Sequence, residues 1–143
     1  MRDEQVRRYA RHILLPDVGG LGQTALMVSA ARVSIDGEPS AALVAALYLA
    51  AGGVGGMIVG GATAAQLAAL AAHGPETKIL QPQVTHADPT SERAAALAHP
   101  RDVVVPGAPA WWPASTGTAD ATALAYWRGG IAATRWMAEV VNR

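Results

Sequence analysis

A chain of 143 residues is one domain's worth of sequence, long enough to bury a single layered core. It has no cysteine, which excludes disulfides, thiolate metal sites and a cysteine nucleophile. The 11 basic side chains balance 11 acidic ones, so no net positive field draws nucleic acid or an anionic membrane surface, and the charged N-terminus lacks the apolar run of a secretion signal, leaving the cytoplasm as the expected compartment.

In residues 3–14, Val6, Tyr9, Ala10, Ile13 and Leu14 recur at helical spacing between Arg7, Arg8 and Arg11, which predicts one amphipathic helix ending before Pro16. A glycine-containing turn over 19–22 leads to a short helix over 24–30 and then to an alternating strand over 32–36. Gly37 and Pro39 mark a turn, Ser40 is placed to cap a helix over Ala41–Ala51, and Gly52 and Gly53 supply its stop. A strand over 57–59, a capped Ala/Leu helix over 63–72, an extended stretch over 78–84, a helix over 91–98 and a strand over 102–105 follow.

Residues 106–118, with Pro106, Pro109, Pro113 and Gly117, predict an irregular loop that carries Trp111 and Trp112. The stretch 120–141 then reads as one helix interrupted at Gly129 and Gly130, or as two helices. Strands alternating with helices predict an α/β class: a shortened Rossmann-like three-layer fold whose mainly parallel sheet is flanked by helices. The expected organisation is a single domain over 1–143, with an N-terminal helical segment (1–30), a βα core (31–105), the Pro/Trp loop (106–118) and C-terminal helices (119–143). Phe is absent and Ala abundant, so the core must be built from small side chains.

One rival organisation uses residues 41–72, which contain no charged side chain and are long enough to span a bilayer, with Gly52 and Gly56 as a small-residue interface. Two glycine clusters and the change from Ala/Leu to Met-Ile-Val and back favour a helix–turn–strand–helix unit instead.

The segment RYARHILLPDVGGLGQ at residues 8–23 resembles the opening signature of the ThiF/MoeB/HesA adenylating proteins, relatives of ubiquitin-activating enzymes, which runs Arg-Tyr-x-Arg-Gln-Ile-Leu-Leu-Pro. Further on, Leu47, Tyr48, Leu49, Ala50, Ala51, Gly52, Gly53, Val54 and Gly55 are similar to that family's Leu-Tyr-Leu-Ala-Ala-Ala-Gly-Val-Gly. The stretch GGIAATRW at 129–136 is similar, more weakly, to its closing helix, with Arg135 in place of the usual glutamate.

What the resemblance implies about ATP is loss. The family's Gly-x-Gly-x-x-Gly lets backbone amides approach phosphates at a helix N-terminus. Here Gly37 alone stays in register: Pro39 has no N–H, the Ala42 methyl opposes close approach, and Glu38 adds a repelling charge. At the end of the second strand, Ile58-Val59-Gly60-Gly61 offers no acidic side chain for the ribose, and residues 62–73 lack the family's Asn-Leu-x-Arg and its lysine. Pro106 and Pro109 stand where the family has aspartates, one of which helps to hold magnesium, and its paired Cys-x-x-Cys zinc site has no counterpart. The implied protein is a non-catalytic pseudoenzyme without cofactor or metal.

Family members work as dimers in which the second arginine of the signature, here Arg11, reaches the partner's nucleotide. The retained Arg8 and Arg11 therefore imply a homodimer, or a heterodimer with an active ThiF-like subunit; the plainer reading is a solvated helix face. The small-residue helix over Ala41–Ala51 and the Trp-bearing C-terminal segment, with Trp111 and Trp112, are interface candidates for a homodimeric scaffold or binding module, whereas core packing is the plainer reading of the tryptophans. An enzymatic alternative would draw on His12, His73, His86 and His99, with Asp88 near His86 and Asp102 near His99; none has metal-ligand or triad spacing, although His86-Ala87-Asp88 could orient an imidazole.

Overall fold

A computed structural model describes residues 1–37, 39–83, 91–114 and 117–143. Helices α1 (Asp3–Arg8), α2 (Ala10–Ile13) and α3 (Gly19–Val28) precede strand β1 (Ala30–Ser34). Then come α4 (Ala41–Ala51), β2 (Gly56–Gly60), α5 (Ala64–His73), β3 (Lys78–Leu80), α6 (Glu92–Ala98), β4 (Arg101–Asp102) and α7 (Thr118–Val141). The strands form one parallel sheet in the order β3-β2-β1-β4, with Ala30 opposite Gly56, Gly56 opposite Lys78 and Ala31 opposite Arg101.

Local chemistry explains where the central helices start and stop. Ser40 caps α4, its hydroxyl accepting the Leu43 N–H at 3.2 Å. At the other end, Gly53 adopts φ +84°, and the Gly53 and Val54 amides donate back to the Ala50 and Leu49 carbonyls. That pair of bonds is a Schellman stop, which needs a residue able to enter the left-handed region. Thr63 and Gln66 close a capping box on α5, and Ser91 caps α6.

Period-two alternation then sorts the sheet residues onto two faces. Ala31, Val33, Met57 and Val59 belong to the main core with Leu49, Leu70 and Trp136 from the helices. A Cβ on Gly56, on the opposite face, would meet the buried Leu97 of α6 at 2.7 Å. Helices therefore cover both faces, and the three-layer Rossmann-like α/β fold expected from the alternation is present. The core is built as its composition requires: Ala45, Ala46, Ala50, Ala132 and Ala133 let α4 and α7 approach closely, and Trp136 supplies bulk.

Five local expectations are corrected. The predicted N-terminal helix breaks at Tyr9 (φ −100°, ψ 14°), with Tyr9 and Gln5 turned inward while Val6 and Leu14 stay exposed. Polar anchoring overrides apolar periodicity there, because Glu76 accepts from Arg2, Gln5 and Tyr9. Residues 19–22 open α3 rather than forming a separate turn; a Cβ on Gly22 would lie 2.8 Å from Val141 Cγ1, so this glycine serves helix packing. Strand β1 begins at Ala30 and β4 is confined to Arg101–Asp102, where each is hydrogen-bonded to its neighbour. Helix α7 runs unbroken through Gly129 and Gly130.

The uncharged run 41–72 is divided among α4, β2 and α5, and among the described residues no helix is long and apolar enough to cross a membrane. Of the stretch 78–84 only Lys78–Leu80 is a strand, and Val84 lies outside the described residues.

Candidate functional site

The strand order creates the site. The chain passes from β1 to β2 and β3 on one side, then returns to place β4 on the other side of β1. Where successive crossovers diverge, the loops beyond the strand ends separate and leave a crevice outside the carboxyl ends of the strands. Here that crevice measures about 420 Å³ and is lined by Ser34, Asp36, Pro39, Ala41, Ala42, Val103, Val105 and Arg128.

Each wall has its own origin. Ser34 and Asp36 come from the end of β1 and the turn beyond it, while Val103 continues the β4 pairing by donating to the Arg32 carbonyl at 2.9 Å. Pro39, Ala41 and Ala42 belong to the entrance of α4. Arg128 arrives from α7, and its Nε donates to the Pro106 carbonyl at 2.5 Å, which fixes the guanidinium at the rim. Among the described residues, Asp36 has no hydrogen-bond or ion-pair partner, and the two terminal nitrogens of Arg128 have none either.

The predicted degenerate loop sits at this crevice. Gly37 takes φ +61° and is exposed, with nothing within 4 Å of where a Cβ would be, so its backbone conformation accounts for a glycine there. Pro39 and Ala42 line the crevice, and Glu38 lies outside the described residues. The Leu43 amide, in the first turn of α4, is already taken by the Ser40 hydroxyl.

Arg8 and Arg11 are elsewhere. Tyr9 packs on Gly53 at the C-terminal end of α4, whereas the crevice lies at that helix's N-terminus, ~16 Å away for a helix of this length. Arg8 donates to the His73 carbonyl at 2.9 Å, satisfying the end of α5, and Arg11 is exposed without a partner among the described residues.

Around them the N-terminal segment is held by polar contacts. Fully buried Gln23 donates to the Gly52 carbonyl at 3.0 Å and its side-chain oxygen lies 3.1 Å from His12 Nδ1. Glu76 accepts from Arg2 at 2.9 Å, from Gln5 at 3.1 Å and from the Tyr9 hydroxyl at 3.5 Å. Burial pushes the Tyr9 hydroxyl above its ordinary value, the Glu76 carboxylate adds to that rise, and Arg8 pulls the other way.

The loop pair Trp111 and Trp112 joins Trp127 of α7 in a three-indole cluster with centroids 5.7, 5.8 and 6.3 Å apart. Trp111 remains 68% exposed, so the cluster presents one indole to solvent. Trp136 is buried, and its Nε1 donates to the Arg101 carbonyl at 3.3 Å. His86 and Asp88 lie outside the described residues. His73 Nδ1 contacts the Ala69 carbonyl one turn earlier, and among the described residues no three His, Asp or Glu side chains gather where a metal could bind.

Arg128 is the residue that sequence reasoning missed. The available signal was its isolation: it is the only charged residue between Asp120 and Arg135, directly before the Gly129-Gly130 pair. No protein-family model matches this chain and no curated protein matches it.

Proposed function

We propose that this protein is a ThiF-like pseudoenzyme that has given up ATP and magnesium and serves as an inactive dimer partner or regulatory subunit of a ThiF-like or other pathway enzyme. The observation that carries this reading is the chemistry of the crevice. Its α4 entrance presents Pro39, Ala41 and Ala42, the Leu43 amide is engaged by Ser40, and Asp36 stands unneutralised on the adjacent wall. A triphosphate needs free amides and cations; a single fixed guanidinium beside a carboxylate is a poor match.

The test is a calorimetric and thermal-shift titration of the purified chain with Mg-ATP. A ligand bound only by the folded state raises its stability, so the expected result is no shift and no heat. Micromolar binding of Mg-ATP overturns the proposal. For the partner role, the chain is co-purified with an active ThiF-like subunit and compared with Arg11→Ala; an adenylation rate unchanged by that substitution removes the trans-arginine role.

A second reading, a homodimeric binding module, is favoured by a separate observation. Leu14, Leu15 and Leu21 are 81%, 50% and 89% exposed on the N-terminal segment, and Leu15 lines an apolar groove with Met137 and Val141 of α7. Large apolar side chains left exposed next to an apolar groove are candidates for an interaction surface. Sedimentation of the chain alone separates the readings: a concentration-stable dimer supports the module, and a monomer that pairs only with another subunit supports the pseudo-subunit.

A further inference from the structure

Asp36 and Arg128 line one open crevice without pairing, which leaves both charged groups available to a ligand. Within hydrogen-bonding range they would neutralise each other, yet no ion pair joins Asp36 to Arg128, and neither carboxylate nor terminal guanidinium nitrogens have another partner among the described residues. Arg128 is not free to swing across, since its Nε is tied to the Pro106 carbonyl. Ser34, Val103, Val105, Pro39, Ala41 and Ala42 complete the lining.

We propose that this crevice binds a small zwitterion of the α-amino-acid class, with its ammonium group on Asp36, its carboxylate on Arg128 and a modest apolar side chain against Val103 and Val105. Charge decides the class. A simple anion would satisfy Arg128 and leave Asp36 repelling it, and a simple cation would do the reverse; only a ligand carrying both signs meets both walls. Size agrees, because about 420 Å³ falls at the small end of ligand pockets. Position agrees too, because the crevice occupies the switch point of a parallel sheet, where small ligands bind in open α/β folds. The inference goes beyond the pseudoenzyme reading and rests on it only in taking the crevice to be free of nucleotide.

The experiment titrates the 143-residue chain by calorimetry with L-valine and L-leucine, then with N-acetyl-L-valine, L-valinamide, inorganic phosphate and Mg-ATP. Blocking either end of the amino acid is expected to weaken binding roughly tenfold or more, because each charged hydrogen bond contributes on that scale. Asp36→Asn should abolish discrimination against the acetylated form, and Arg128→Gln discrimination against the amide. Asp36 is exposed and the Asn variant is isosteric, so that arm stands even where Arg128→Gln disturbs folding; Arg128→Lys, which keeps the charge, should restore part of the affinity. Absence of amino-acid binding overturns the inference, as do equal affinities for free and blocked ligands, or phosphate binding that depends on Arg128 and not on Asp36. Mg-ATP binding without amino-acid binding sinks the pseudoenzyme reading as well, whereas silence from both ligands sinks this inference alone.

Discussion

Tyr9 sits where a side chain at position 53 would have to be. A Cβ on Gly53 would lie 2.5 Å from Tyr9 Cζ, so the glycine that ends α4 also makes room for the ring that docks the N-terminal segment. The docked hydroxyl is buried beside the Glu76 carboxylate, and both burial and that charge disfavour the phenolate, raising its titration above the ordinary 10.0. The sign of the resulting pH dependence follows. Below about pH 10 the phenol is neutral in both folded and unfolded chains and its contribution is fully present; as pH rises past that value the unfolded chain ionises first, and the contribution is lost. Thermal midpoints measured from pH 8 to 11 should therefore fall at the alkaline end, and Tyr9→Phe should flatten that fall while removing a phenolate step above pH 10 from the ultraviolet titration. An unchanged alkaline slope in Tyr9→Phe would remove the linkage. The glycine stop at positions 52 and 53 was legible in the sequence because a Schellman turn demands that residue type. The inward turn of Tyr9 was not, because its main polar partner, Glu76, is 67 residues distant.

Helix α7 shows the same division at the scale of an element. Two adjacent glycines in a helix interior cost about 1 kcal/mol each relative to alanine, which is why the sequence reads as an interruption. Packing reverses that reading at one of the two positions only. A Cβ on Gly129 would stand 2.5 Å from the Ala41 carbonyl oxygen and 2.6 Å from Val44 Cβ, whereas one on Gly130 would meet nothing within 4 Å. Gly129→Ala should therefore destabilise by about 1–3 kcal/mol through overpacking of α7 against α4. Gly130→Ala should stabilise by up to about 1 kcal/mol through helix propensity alone. Urea unfolding of both variants checks the pair, and equal shifts would show that the crossing does not depend on Gly129. The helices capped by Ser40, Thr63 and Ser91 were readable to within a residue or two, since a cap is a local device. The edge strand β4 was overestimated because its Val run resembles a strand, while the ladder holds Arg101 and Asp102 and ends with the single bond from the Val103 amide to Arg32.

At the scale of the whole molecule, what sequence could not supply was adjacency. The turn at Gly37 and the entrance to α4 could be placed along the chain, but the crevice exists because β4 returns beside β1 and α7 brings Arg128 to its rim. Adjacency also divides the molecule into parts of unequal stability. The sheet, α4 and α7 share one apolar core, while α1 and α2 are attached mainly through polar groups. Segments held by few apolar contacts open locally without global unfolding. Glu76 is the centre of that attachment: its Arg2 pair is largely solvated and contributes little, but the bonds from buried Gln5 and Tyr9 leave buried donors stranded when the carboxylate is removed. Glu76→Ala should therefore lower the opening free energy of residues 3–14 by about 1–3 kcal/mol, so that their amides exchange roughly tenfold to a hundredfold faster. Protection in β1, β2 and α4 should stay as in the parent chain, because none of their core contacts involves Glu76. Hydrogen-exchange mass spectrometry resolves the two regions, and uniform acceleration across the chain would show that the N-terminal segment and the sheet unfold as a single unit.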